Sequence, residues 1–297
     1  VLPYVVLGGA QIAVGAAAIF ARYALAGAGP IAVSAARMAI AAIVLLLIAV
    51  VARDARAPAT RSQNLVLAVA GLTLAAHFAT WITSLEFSTV AISTLLVSTT
   101  PIWTALYDAF ALGRKLASRT IAGFVGGAAG LLLVVGFDTT APPIPGHAWL
   151  GAGLAVAGAI AIAAYLILVR EVRADLSTRA IVTRTNTWAA VILAAAALVA
   201  RQPLPPLHAA AAWGGIIAMA AISQLLGHTA INASLRWFSP SAVSFASLLE
   251  PVTAAVLALL IFGEAVPRLA VVGAALLLAS LALVLQAERV GDWPEPI

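Results

Sequence analysis

Two prolines, Pro101 and Pro251, stand in the middle of apolar stretches 150 residues apart, and the sequence around them repeats at that same spacing. Ser84 and Leu85 recur as Ser234 and Leu235, Gly113 as Gly263, and Gly123 as Gly273. Leu131, Leu133 and Val134 likewise recur as Leu281, Leu283 and Val284. A chain with this offset is expected to carry the same group of helices twice.

The solvent those helices expect is lipid. Charged residues make up only 9% of the chain against 63% hydrophobic, with a mean hydropathy of +1.09, whereas soluble domains carry about 25% charged residues. A hydrocarbon core of about 30 Å takes roughly 20 apolar residues per helix. Stretches of that kind predict ten spans: 4–25, 31–52, 64–85, 89–112, 118–136, 148–169, 180–200, 211–233, 240–262 and 267–287. The expected fold is all-α and integral to the membrane, with a first five-helix repeat at 1–136, a linker at 137–147, a second repeat at 148–288 and a tail at 289–297.

Basic residues resist translocation and gather on the cytoplasmic side. With the N-terminus inside, twelve of the 16 basic residues fall in inside loops, among them Arg53, Arg56, Arg61, Arg114, Lys115, Arg119, Arg170, Arg173, Arg179 and Arg184. Both termini then face the cytoplasm. Five spans per half is an odd number, so the second half is expected to be inverted relative to the first, an arrangement that in transporters places the binding site near the midplane. The same topology accounts for a pI near 10.4 without nucleic acid. The first span is too long for a signal-peptide core and lacks a basic flank, so it is expected to target the chain itself. The absence of cysteine excludes disulfides and thiolate metal sites. The only lysine, Lys115, follows no phosphate-cradling glycine loop, which excludes ATP hydrolysis by a P-loop.

The polar residues inside the spans mark the candidate site. Ser93, Thr100, Thr104 and Tyr107 recur at helical spacing around Pro101, and Ser244, Ser247 and Glu250 do so around Pro251. Proline frees a backbone carbonyl one turn earlier, which is tolerated where that group faces a cavity or another helix. Both prolines are therefore read as kinks that shape a cavity. Span three offers His77, Thr80, Trp81 and Ser84 on one face, and span eight offers Gln224, His228 and Asn232 at i, i+4 and i+8. The two histidines differ by 151 positions, nearly the repeat offset.

Glu250 is the most costly group for lipid to accept: it is read as protonated, as paired with Arg37 or another basic group, or as each at a different stage. Arg37 lies near the outer end of span two, where it either snorkels outward or offers its guanidinium to a carboxylate. Asp108 and Arg114 read as a solvated contact at the inner end of span four. Trp149, Trp213 and Trp237 fall at span ends as interfacial anchors. Trp81, Trp103, Tyr107, Tyr165, Trp188 and Phe245 fall inside spans. Aromatic walls with few fixed charges suit a neutral or zwitterionic substrate and not a phosphorylated one. The glycines at 123, 126, 127 and 130 make span five a close-packing helix.

The segment LLEPVTAAVLALLIFGEAVPRLAVVGAALLLASLALV, with Glu250–Pro251 and Gly263–Glu264, resembles the last two helices of EamA-type transporters of the drug/metabolite transporter superfamily. STTPIWTALYDAFALGRKLASRTIAGFVGGAAGLLLVV is the weaker copy in the first half. Arg114 follows Gly113 where that family usually has an acid, and Thr100 precedes Pro101. The resemblance implies ten helices around a central cavity in a bacterial inner membrane, opened alternately to each side, and export of amino acids or related metabolites. The aromatic amino-acid exporters are the most similar branch.

On this reading the substrate-binding residues are His77, Trp81, Trp103, Tyr107, His228, Arg37, Tyr165 and Phe245. Glu250 is the proton or charge site, and Pro101 and Pro251 are the helix kinks. No cofactor, metal or nucleic-acid partner is expected. The partners are a small-molecule substrate and the bilayer, and a monomer is compatible with the sequence. A broad exporter of drugs or nucleotide-like metabolites is the alternative within the class. An intramembrane enzyme is disfavoured, because no nucleophile setting is present and Asp108 and Glu250 lie at different depths.

Overall fold

The computed structural model describes residues 1–51, 59–88, 90–113, 117–135, 146–262 and 268–287. Gly263, Glu264, Arg114, Lys115, Arg53, Arg56, most of the 137–147 linker and the 289–297 tail lie outside the described residues. Among those described, every regular element is a helix. The first half contains α1 (Leu2–Gly15), α2 (Ala17–Ala24), α3 (Pro30–Val51), α4 (Arg61–Phe87), α5 (Val90–Val97), α6 (Thr100–Phe110) and α7 (Ser118–Val135). The second contains α8 (Ala148–Val172), α9 (Thr178–Val199), α10 (Ala210–Ala218), a π-helical segment (Met219–His228), α11 (Thr229–Ser234), α12 (Pro240–Ala246), α13 (Leu249–Phe262) and α14 (Arg268–Ala287).

Seven described segments are long and apolar enough to cross a membrane: Leu2–Ala24, Pro30–Val51, Arg61–Phe87, Trp149–Val172, Thr178–Val199, Ala210–Ser234 and Pro240–Ile261. The remaining stretches expected to span, 89–112, 118–136 and 267–287, are helical as α5 with α6, α7 and α14, and α14 carries a shorter apolar run at Val271–Val284.

Local chemistry sets where helices start. Thr60 and Gln63 form a reciprocal capping box at the head of α4: Gln63 N donates to Thr60 Oγ1 (3.2 Å) and Thr60 N to Gln63 Oε1 (2.9 Å). Ser177 caps α9 by accepting from Ala180 N, and Ser239 caps α12 by accepting from Ala242 N, with Pro240 inside the first turn.

Both prolines sit just past a break. Residues 98 and 99 separate α5 from α6, and 247 and 248 separate α12 from α13. The carbonyl that Pro101 cannot pair, Val97 O, accepts from the Thr100 hydroxyl at 2.7 Å. The one that Pro251 leaves, Ser247 O, accepts from Glu250 N at 2.9 Å. Each break is thus satisfied within its own turn, by a side chain in one half and by tightened backbone in the other.

Glycine decides where helices approach most closely. On α7, a Cβ at Gly123 would meet Ser280 O at 3.1 Å, and one at Gly130 would meet Gly273 O at 2.8 Å. These two contacts exchange with one another under the 150-residue offset, and α7 runs antiparallel to α14. Gly151 lies against Phe87 and Ser88, and Gly158 against Thr80 and Trp81, which joins α8 to α4. Gly215 on α10 fits against Phe20 and Ala24 of α2. Small residues permit such approaches where lipid offers no hydrophobic drive between helices.

Candidate functional site

The cavity lies where the two broken helices meet α1, α3, α4, α8 and the π-helical segment. It is lined by Arg37, His77, Phe78, Trp81, Ser98, Thr100, His228, Ser247 and Glu250, with Val14, Ile162, Ile231 and Val243 among its apolar walls. Thr100 and Glu250, the residues that precede the two prolines, occupy repeat-equivalent positions and both line it. Its free space is about 620 Å³ with the open mouth included.

Arg37 does not snorkel. It is fully buried, its guanidinium carbon stands 4.1 Å from the Phe78 ring centroid, and Nη2 donates to Gln224 Oε1 at 2.8 Å. The cation over the ring face is stabilised by the ring quadrupole. Gln224 Nε2 donates in turn to Asn186 Oδ1 (2.8 Å), and Asn186 Nδ2 to Val182 O (2.7 Å). This relay across the π-helical segment and α9 fixes the guanidinium while leaving Nε and Nη1 without a partner.

His77 Nδ1 lies 3.0 Å from Gly158 O. A carbonyl only accepts, so that nitrogen carries a proton, and in the neutral ring Nε2 keeps its lone pair. The His77 ring stacks on Trp81 at 6.0 Å and meets His228 edge-on at 6.5 Å. His228 also meets Phe78 edge to face at 5.3 Å, and its Nδ1 has no partner. Trp81 Nε1 and Ser98 Oγ are likewise buried and unpartnered. The site is therefore rich in unspent donors. Glu250 is its carboxylate, in the first turn of α13, where the helix dipole favours negative charge.

The structure brings His77, Trp81, His228, Arg37 and Glu250 together at this cavity and places the other candidates elsewhere. Tyr165 is buried and its hydroxyl donates to Asn232 Oδ1 at 2.9 Å. Phe245 stacks on Phe124 at 5.3 Å, beside Gly127. Trp103 is half-buried, with Nε1 donating to Thr99 Oγ1 at 3.4 Å, and Tyr107 is half-buried one turn further along α6. Neither lines the cavity. Pro101 and Pro251 are both buried at the breaks. Trp188 is exposed on the outer face of α9. Asp108 is buried, not solvated as the sequence suggested: Ser241 Oγ donates to its Oδ2 at 2.6 Å across the α6–α12 contact. Among the described residues no group of His, Asp or Glu is arranged to hold a metal.

Gln224 and Asn232 are visible in the sequence only as members of a polar face, and nothing in the sequence singles out Asn186. The three polar residues of span eight separate to different partners: Gln224 to Arg37, His228 to the cavity and Asn232 to Tyr165. The π-helical winding between Met219 and His228 is not written in hydropathy, although such windings recur at functional sites. Ser98 is legible only as one of several hydroxyls near Pro101.

A bundle of apolar helices closed around a polar, donor-rich cavity defines a multi-pass membrane protein of the carrier type. The chain belongs to the EamA-like transporter family, whose model matches residues 3–136 and again 149–286, once for each half. It is a membrane transporter of the drug/metabolite transporter superfamily. A solved structure titled "Crystal structure of protein" has the same fold, with a TM-score of 0.79 at 17% identity over 98% of this chain and 99% of that one. No curated protein matches.

Proposed function

We propose that the chain is a ten-helix carrier of two inverted five-helix repeats that exports amino acids, aromatic and neutral ones by preference, by alternating access. The observation that carries the reading is the cavity itself, where aromatic and apolar walls surround one guanidinium, one carboxyl and two histidines. That inventory matches a zwitterion with an apolar body and is too poor in cations for a phosphorylated solute. The antiparallel α7–α14 contact, reciprocal under the repeat offset, supports an inverted pair of repeats. The family model's two matches support the same division. The expected residence is a bacterial inner membrane with both termini in the cytoplasm, from the distribution of arginines.

Counterflow of labelled phenylalanine, tryptophan and leucine in proteoliposomes tests this directly. Saturable exchange, competed by unlabelled aromatic amino acids, is the expected result. A carrier that exchanges only cationic drugs or nucleosides would overturn the substrate assignment while leaving the transporter standing.

A further inference from the structure

Resting on that reading, we infer that the cavity holds its substrate by one fixed end: a free carboxylate pairs with Arg37, which the Gln224–Asn186 relay keeps aimed and unspent. A guanidinium buried among helices is costly unless its donors are used. Here the side chain is fully buried, yet only Nη2 has a hydrogen-bond partner, the neutral Gln224 amide. The protein has thus placed a permanent cation in a cavity wall, over the Phe78 ring, and held it from behind with an amide that supplies no counter-charge. Two other buried donors without partners, Trp81 Nε1 and Ser98 Oγ, belong to walls of the same cavity, as does the unpartnered ring nitrogen His228 Nδ1. A donor excess of this kind recognises an acceptor-only group. A carboxylate is the small-molecule group that matches it with a single negative charge.

The acid that could spend Arg37 internally is Glu250, which lines the same cavity. Among the described residues no ion pair between them is formed. With no such pair formed, the Glu250 carboxyl is left available to the ammonium of a zwitterion. Repeat symmetry alone would not give this polarity. The position equivalent to Glu250 is Thr100, which cannot carry charge, so the two halves present unlike groups and the substrate is oriented.

The test is a competition panel in counterflow of labelled phenylalanine. 3-Phenylpropionate, which keeps the carboxylate and lacks the amine, is expected to compete within about tenfold of phenylalanine. Phenylalaninamide and phenethylamine, which lack it, are expected to be at least tenfold weaker. Gln224→Glu is the decisive variant because it retains Arg37 and the side-chain shape while supplying an internal carboxylate; it is expected to lose competition by 3-phenylpropionate at least tenfold. Arg37→Gln should do the same, and Arg37→Lys should recover some of it. Equal competition by the amide, or an unchanged profile in Gln224→Glu, overturns the inference.

A thermal-shift measurement in detergent separates this claim from the amino-acid reading. Stabilisation of the wild type by 3-phenylpropionate, lost in Gln224→Glu, would uphold the carboxylate site even if no amino acid were exchanged. Amino-acid exchange without any carboxylate-dependent shift or competition would sink the site and keep the exporter. If Arg37→Gln combined with Glu250→Gln restores wild-type exchange, the two residues serve each other and not the substrate, and the inference fails.

Discussion

His77 and His228, 151 residues apart in the chain, meet edge-on with their ring centroids 6.5 Å apart. The pair stands one position off the 150-residue repeat offset, and both rings line the cavity. The two rings are nevertheless held differently. His77 is tied to Gly158 O through Nδ1, whereas His228 Nδ1 has no partner.

That difference predicts unlike responses to substitution. His77→Ala removes a buried hydrogen bond to Gly158 O, which keeps its place in the α8 backbone ladder, and should lower stability by about 0.5–1.5 kcal/mol. His228→Ala removes no such bond from Nδ1 and should cost less than half as much, while raising the KM for exchange. Melting midpoints in detergent, read beside counterflow kinetics, check both. Equal destabilisation by the two variants would mean that the His77–Gly158 contact is not what holds the ring.

The α7–α14 approach predicts a graded glycine series. Gly130→Ala sets a Cβ against backbone, Gly273 O and Leu277 N, which cannot withdraw, and should destabilise by about 1–3 kcal/mol. Gly126→Ala meets chiefly the Ser280 hydroxyl, which can rotate aside, and should cost less. Gly153→Ala on α8 meets nothing within 4 Å and should be neutral or stabilising by about 0.5–1 kcal/mol, because alanine is the better helix former. Thermal unfolding in a single detergent ranks the three, and a Gly130→Ala protein as stable as Gly153→Ala would contradict the geometry.

Much of the framework was legible because lipid imposes it. The apolar stretch expected at 118–136 is the helix Ser118–Val135, and that expected at 31–52 is Pro30–Val51, since length and hydropathy are set by the bilayer. The α4 helix runs two residues beyond its expected end and begins three earlier, where the Thr60–Gln63 capping box extends it into the aqueous edge. The site was only partly legible. Ionisable and polar groups inside apolar stretches drew attention to Arg37, His77, His228 and Glu250. Residue type could not say that Tyr165 spends its hydroxyl on Asn232, or that Phe245 packs on Phe124. An aromatic residue that packs between helices and one that lines a cavity have the same composition and the same spacing.

The Pro101 break offers a narrower test. Val97 O is satisfied by the Thr100 hydroxyl, whereas its counterpart Ser247 O is satisfied by backbone. Thr100→Val keeps the shape and deletes that hydrogen bond, at an expected cost of about 1–3 kcal/mol for an orphaned buried carbonyl. Ser247→Ala removes a side chain whose hydroxyl donates to Ser244 O and leaves the freed carbonyl paired, so it should cost about 1 kcal/mol or less. Melting midpoints of the two variants should differ in that order.

The broken helices are strapped together on one flank. Thr104 Oγ1 and Ser244 Oγ lie 2.9 Å apart, and one turn away Ser241 Oγ donates to Asp108 Oδ2 at 2.6 Å. At the repeat equivalents of Thr104 and Asp108 stand Ala254 and Ala258, which can form no such strap. On the proposed alternating-access cycle the helices of one flank separate ahead of those of the other, and the α6–α12 strap is expected to oppose opening of its flank. Each hydrogen bond contributes about 0.5–1.5 kcal/mol net, more for the one to a carboxylate, so Ser244→Ala with Asp108→Asn should shift the opening equilibrium by roughly tenfold or more.

The chain contains no cysteine, so Ser98→Cys introduces a single reporter at the cavity wall. Labelling of that cysteine by a membrane-impermeant maleimide should quicken by about tenfold from the flank's own side in the strap variant and stay unchanged or slow from the other. Equal acceleration from both sides would indicate general loosening, and no acceleration would show that the strap does not hold the flank closed.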